Sequence, residues 1–222
     1  MMMMKKSMFL KIVAVTAVIV AACDKNEEMY PPYPGPDVVW YPGSPDNPVQ
    51  EINTGVPFNG GSLILLDRNV GAQSVGDWGS YLTWQQAMNA CPSGYHLMTK
   101  AEATALIANG SYNNSLKLAV GNLKMPAAGY MWYVGYGVIG TVGGVNFDNS
   151  YHGYYLLQDK YENPKNPTSV ADSVWVMHME ILYDKNADNG YGGPAAVDRQ
   201  RSPVFMPDNK NLRQSARCVK DY

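Results

Sequence analysis

Two helix starts of the same design stand close together in this chain, and from residue 123 onward short, glycine-broken strand patterns take over. That order confines the fold to an α+β arrangement in which helices precede mostly antiparallel strands. Thr83-Trp84-Gln85-Gln86 and Thr99-Lys100-Ala101-Glu102 both fit the capping box, where a threonine hydroxyl covers an orphan amide and the side chain three residues later reciprocates. Behind the first, Trp84, Ala87, Met88 and Cys91 fall on one helical face, and Pro92 stops the run. Behind the second, Ala103, Leu106 and Ile107 supply the apolar face until Gly110 ends it. Both helices are short, so tertiary packing has to hold them.

The strand signals flank these helices. The apolar run 63–66 is closed by Asp67, Arg68 and Asn69, with Gly71 behind as turn material. Trp175, Met177, Met179 and Ile181 alternate with Val176, His178 and Glu180, a half-buried strand of period two. Near the end, Gln214, Ala216 and Cys218 alternate with Arg213, Ser215 and Arg217, which puts Cys218 on the more apolar face. The expected order is one strand, two short helices, then many short strands in long loops.

The N-terminus is of another kind. VAVTAVIVAAC (13–23) follows Lys5, Lys6 and Lys11, the pattern of an export signal that ends in a lipobox. Its apolar run, 12–22, is 11 residues long, whereas crossing a bilayer takes roughly 20. Residues 1–22 are therefore expected to be removed and Cys23 to be acylated, anchoring the chain in the outer membrane. Asp24, Glu27 and Glu28 resemble the acidic signal that sends lipoproteins of Bacteroides-like bacteria to the cell surface.

Residues 23–52 read as a tether. Prolines 31, 32, 34, 36, 42, 45 and 48 are mixed with glycine and aspartate, a composition that favours extended chain; as polyproline helix, residues 24–50 would reach on the order of 80 Å at ~3.1 Å per residue. Tyr30, Tyr33, Trp40 and Tyr41 leave open whether its later part docks on the domain, which is expected over 53–222. Without residues 1–22, 14 basic residues face 19 acidic ones, a net charge of −5. Such a surface discourages nucleic acid as a partner.

DRNVGA (67–72), YLTWQQAMNACPSGYHLMTKAEATAL (81–106), MPAAGYMW (125–132) and SARCVKD (215–221) resemble, in order and spacing, the Fibrobacter major paralogous domain family. Members of that family are abundant in surface lipoproteins of gut Bacteroidetes and resemble the C-type lectin-like fold. The resemblance covers roughly 63–222. It departs at GGVNFDNSYHGYYLL (143–157), where the family carries a Tyr-Trp-Ser-Ser type motif. The resemblance implies a disulfide between Cys91, at the end of the first helix, and Cys218, in the final strand. With Cys23 taken by lipid, the remaining two cysteines in an oxidising compartment agree with that pairing.

Many C-type lectins hold sugar through calcium, presented by Glu-Pro-Asn or Gln-Pro-Asp and by Trp-Asn-Asp. Here the nearest segments read Glu162-Asn163-Pro164 and Trp175-Val176-Met177, so that mode of binding is not expected. Asp184, Asn186 and Asp188 are weak metal candidates, because an EF-hand loop needs glycine sixth and glutamate twelfth, where Asn189 and Ala195 stand. A polar turn is the better reading. His96, His152 and His178 lack metalloprotease spacing, and neither a nucleophile elbow nor a phosphate-cradling loop is present. No catalysis and no cofactor are expected.

Recognition is what remains. The segment 129–155 is dense in aromatics and glycines, a composition suited to contact surfaces because rigid rings bury much area at low entropic cost. The candidate ligand-binding residues are Trp132, Tyr133, Tyr136, Asn146, Asp148, Tyr151 and Tyr191. The expected ligand is a glycan or a surface protein. The alternative reading is a structural or accessory/tip subunit of a surface appendage, with an enzyme as a minor alternative.

Overall fold

The computed structural model describes residues 43–44, 46–130, 132–134, 137–139, 150–163, 172–188, 194–196 and 202–222. Cys23 and the four tether aromatics lie outside these residues. The described strands, each named with its range, are β1 (Gly43–Ser44), β2 (Asn47–Pro48), β3 (Glu51–Phe58), β4 (Gly61–Leu66), β5 (Tyr95–Leu97), β6 (Trp132–Val134), β7 (Gly137–Ile139), β8 (Ser150–Lys160), β9 (Ser173–Asp188), β10 (Pro194–Ala196), β11 (Val204–Asn209) and β12 (Cys218–Lys220). The helices are α1 (Trp84–Ala87), α2 (Lys100–Ala108) and α3 (Ser115–Val120). All named strand pairs are antiparallel, so the class is α+β as expected.

Both capping boxes are formed, by Thr83 with Gln86 and by Thr99 with Glu102. The first helix is shorter than its apolar pattern promised: it is capped at Met88, and turns carry the chain on to Cys91. A third helix, α3, follows an Asn114 cap that was not anticipated. Domain structure also starts earlier than residue 53. Strand β3 opens at Glu51 and pairs with β4 from Glu51↔Leu66 onward. Just before it, the Arg68 guanidinium donates to the carbonyls of Asn47, Pro48 and Gln73 and makes a two-pronged contact with the Asp67 carboxylate at 2.7 and 2.9 Å. The end of the expected tether is therefore fastened to the domain.

One sheet runs β3-β4-β12-β5. The last strand sits inside it, with Val219 opposite both Leu65 and His96. The second sheet is organised on β9, which stands between β10 and β11 and also pairs with β8. One core cluster packs Leu63, Leu65 and Val219 with Leu106, Leu118, Tyr155, Met177 and Met179. Another packs Trp84, Ala87, Leu97, Ala216 and Cys218 against Leu156, Val174 and Val176. Both faces of β8 and β9 are thus covered at one end, which is why Val176 is buried although it alternates with the buried methionines. At the other end that same face carries His152, Tyr154, His178 and Glu180.

The terminal segment departs from its expected alternation, because Gln214, Ser215, Ala216, Arg217 and Cys218 are all buried. Cys91 and Cys218 form a disulfide that spans 127 positions, with their Cα atoms 5.7 Å apart. Asp184 to Asp188 is not a turn: it is the end of β9, where Asp184 and Asp188 pair with Ala195 and Pro194.

A charged cluster pins the C-terminus. His96 lies between Glu102, at 2.8 Å from Nε2, and Asp221, at 2.7 Å from Nδ1, and the Tyr222 hydroxyl donates to Glu102. The bond to Glu102 raises the His96 pKa against the opposing effect of burial, with Asp221 adding to the rise. Burial pushes the Glu102 carboxyl up, but its bonds to His96, Tyr222 and Thr99 outweigh this and hold it low. The raised imidazole stabilises the fold fully below its unfolded value of about 6.5 and loses that effect as pH rises through its folded value. The lowered carboxyl contributes above its unfolded value of about 4.3 and loses its effect as pH falls through its folded value. Replacing His96 with glutamine is therefore expected to cost about 2 kcal/mol between roughly pH 5 and 6.5, and less at pH 9. Urea unfolding of both proteins across that range checks it, and a pH-independent difference would refute the charged pair.

Candidate functional site

Beyond the second core cluster the same sheet face continues in one register, with His152 buried and Tyr154, His178 and Glu180 half-buried. His152 stands opposite Glu180, and Tyr154 opposite His178. His152 Nδ1 and His178 Nε2 are 2.8 Å apart, one imidazole donating and the other accepting. With ring centres 5.1 Å apart and only 7° between planes, the rings lie side by side in a common plane, since a hydrogen bond between ring nitrogens runs in that plane. Tyr154 lies over His178 in an offset stack, 4.6 Å between centres at 16°. Tyr130 meets Tyr154 edge-on at 5.0 Å. Burial lowers the His178 pKa, and neighbouring His152 lowers it further, against an opposing effect of Glu180.

Gly153 is what lets Tyr130 reach this row. The Gly129 amide donates to the His152 carbonyl at 2.7 Å, and Gly129 bridges Gly153. A side chain at Gly153 would come 3.0 Å from Ala127 Cα and 3.3 Å from the Pro126 carbonyl. Gly129, at the start of the aromatic segment 129–155, therefore lies beside β8, the strand in which that segment ends.

Three of the expected ligand residues are among the described ones. Tyr151, half-buried, sits on β8 opposite Ile181. Trp132 and Tyr133 are neighbours on β6, where they pair with Ile139 and Val138 of β7. Tyr136, Asn146, Asp148 and Tyr191 lie outside the described residues. Among the described residues, no cluster of three or more histidine, cysteine, aspartate or glutamate side chains is placed to hold a metal ion, and no helix is long and apolar enough to cross a membrane.

The imidazole pair had no local signal, since its partners come from different strands and meet only through the β8–β9 register. A second ring was also missed. Trp78 is 42% exposed on a loop held from beneath by the Asn69 amide, which donates to the Trp78 carbonyl at 3.0 Å. Gly79, at φ +75°, closes that loop where a side chain would strike the Val70 carbonyl at 2.4 Å. Chemically, these arrangements combine fixed aromatic rings with imidazole and phenol groups, a composition that suits the recognition of hydroxyl-rich or peptide ligands. No protein-family model, no curated protein and no solved structure matches this chain.

Proposed function

We propose that this chain is a lipid-anchored, surface-exposed binding module with a C-type lectin-like fold, recognising a glycan or a protein ligand without catalysis. The observation that carries the reading is the row of Tyr130, Tyr154, His178 and His152 at the root of the aromatic segment. Rings fixed by a sheet and by one another meet a ligand with little entropy left to lose. The disulfide from the α1 region to the last strand and the return of that strand to the sheet centre support the lectin-like reading. The alternative, an appendage subunit, would draw on a free strand edge for assembly. Strands β3 and β11, each paired along one edge among the described residues, carry Pro57 and Pro207, which have no N–H to give to an added strand. At these two edges that weighs for recognition over assembly.

A glycan array probed with the full chain in mild detergent tests the reading. Binding to at least one class of host or microbial glycan is expected, unchanged by a calcium chelator and reduced roughly tenfold by Tyr154→Ala, the scale of about 1.4 kcal/mol. Silence across the whole panel would exclude glycans and leave a protein as the ligand.

A further inference from the structure

Away from the aromatic row, four segments converge on a cleft of about 190 Å³ whose lining includes Trp84, Gln85, Lys160, Ser173, Lys210 and Asn211. Its frame is tied by main-chain bonds: the Trp84 amide donates to the Lys210 carbonyl at 3.0 Å, the Lys210 amide to the Asp172 carbonyl at 2.8 Å, and the Tyr161 amide to the Ser173 carbonyl at 3.1 Å. The pairing of β8 with β9 shifts register between Leu156 and Lys160. Such irregularities re-aim side chains, and here Lys160 Nζ lies 5.6 Å from the centre of the Trp84 ring. Lys210 is paired with Asp172, whereas Lys160 has no carboxylate partner among the described residues. No acidic residue lines the cleft, a local exception in an acidic chain. The side-chain amides of Gln85 and Asn211 and the Ser173 hydroxyl make no hydrogen bond to any described residue.

We propose that this cleft receives the carboxylate-bearing ring of an acidic glycan, a hexuronic acid unit. The proposal rests on the glycan reading above and gives it a ligand class. The Lys160 ammonium, which has no carboxylate partner among the described residues, supplies the counter-charge for a carboxylate, beside the Lys210–Asp172 pair. Two amides and a hydroxyl match the ring hydroxyls, and the indole edge gives apolar contact. The volume lies below the ~300–1,000 Å³ of sites for drug-sized ligands, so a single ring enters and the rest of the chain stays outside.

The test is saturation-transfer NMR on the full chain in mild detergent, with glucuronic acid, glucose and acetate as probes. Glucuronic acid is expected to bind roughly tenfold tighter than glucose, the worth of one hydrogen bond to a charged group, and to weaken as salt is raised. Lys160→Gln should remove that preference, while Lys160→Arg keeps it and both variants melt with the parent. Equal binding of glucose and glucuronic acid, or a preference untouched by Lys160→Gln, would overturn the cleft assignment and leave the glycan reading standing. Acetate competing as strongly as glucuronic acid would overturn the saccharide part. Absence of binding by every sugar here and on the array would overturn both.

Discussion

Replacing both Cys91 and Cys218 with alanine is expected to cost the fold about 3–5 kcal/mol, and reduction of the native bridge should cost nearly as much. The closed loop spans 127 positions, and in the chain-entropy account a cross-link of that span restricts the unfolded chain by about 5 kcal/mol. The native state adds its own reason. Helix α1 is a single turn, too short to persist by itself, and the bridge fastens the end of its segment to a strand in the middle of a sheet. Cys218 also fills space in the cluster formed with Trp84, Ala87, Leu97 and Ala216. The double variant is preferable to either single one, which would leave a reactive thiol. Urea unfolding measures the loss, and a double variant within about 0.5 kcal/mol of the parent, the ordinary scatter of neutral substitutions, would show that packing alone holds the helix to the strand.

The parts of this fold that were legible in the sequence are those whose cause is local. A threonine followed three residues later by glutamine or glutamate specifies its own hydrogen bonds, so both helix starts fall where the letters place them. The alternation through Met177, Met179 and Ile181 reports a buried face directly, and the family resemblance implied the Cys91–Cys218 bridge that the structure contains. What stayed hidden depends on distant partners. Strand β3 reads as polar, with Asn53, Thr54, Gly55 and Pro57, and becomes a strand by pairing with β4. His152 and His178 are 26 positions apart and meet only through strand register. Hydropathy assigns Asp67, Arg68 and Arg217 to solvent, yet the structure buries all three, because each finds polar partners that a pattern of single letters does not show.

Arg217 carries the largest consequence of that kind. Its side chain is fully buried, and burial lowers its pKa. The guanidinium donates from Nε to Asn69 Oδ1 at 3.1 Å, from Nη1 to the carbonyls of Leu66 and Leu123 at 2.9 and 2.8 Å, and from Nη2 to the Lys124 carbonyl at 3.0 Å. One side chain thereby joins the end of β4, the loop after α3 and the strip leading into β12. Removing a buried charge is sometimes neutral, when its partner is removed with it and apolar groups fill the space. Here three of the four acceptors are main-chain carbonyls, which no side-chain substitution removes, and each carbonyl left dry and unpaired costs about 1–3 kcal/mol. Arg217→Leu is therefore expected to destabilise by about 3–5 kcal/mol even after the relief of a desolvated charge. Arg217→Lys should recover part of this and no more, since an ammonium is a point of charge and these acceptors surround a planar fork. Urea unfolding of both variants decides the matter: a leucine variant as stable as the parent would mean that water or a shifted main chain satisfies the three carbonyls, and that the guanidinium does not hold these segments together.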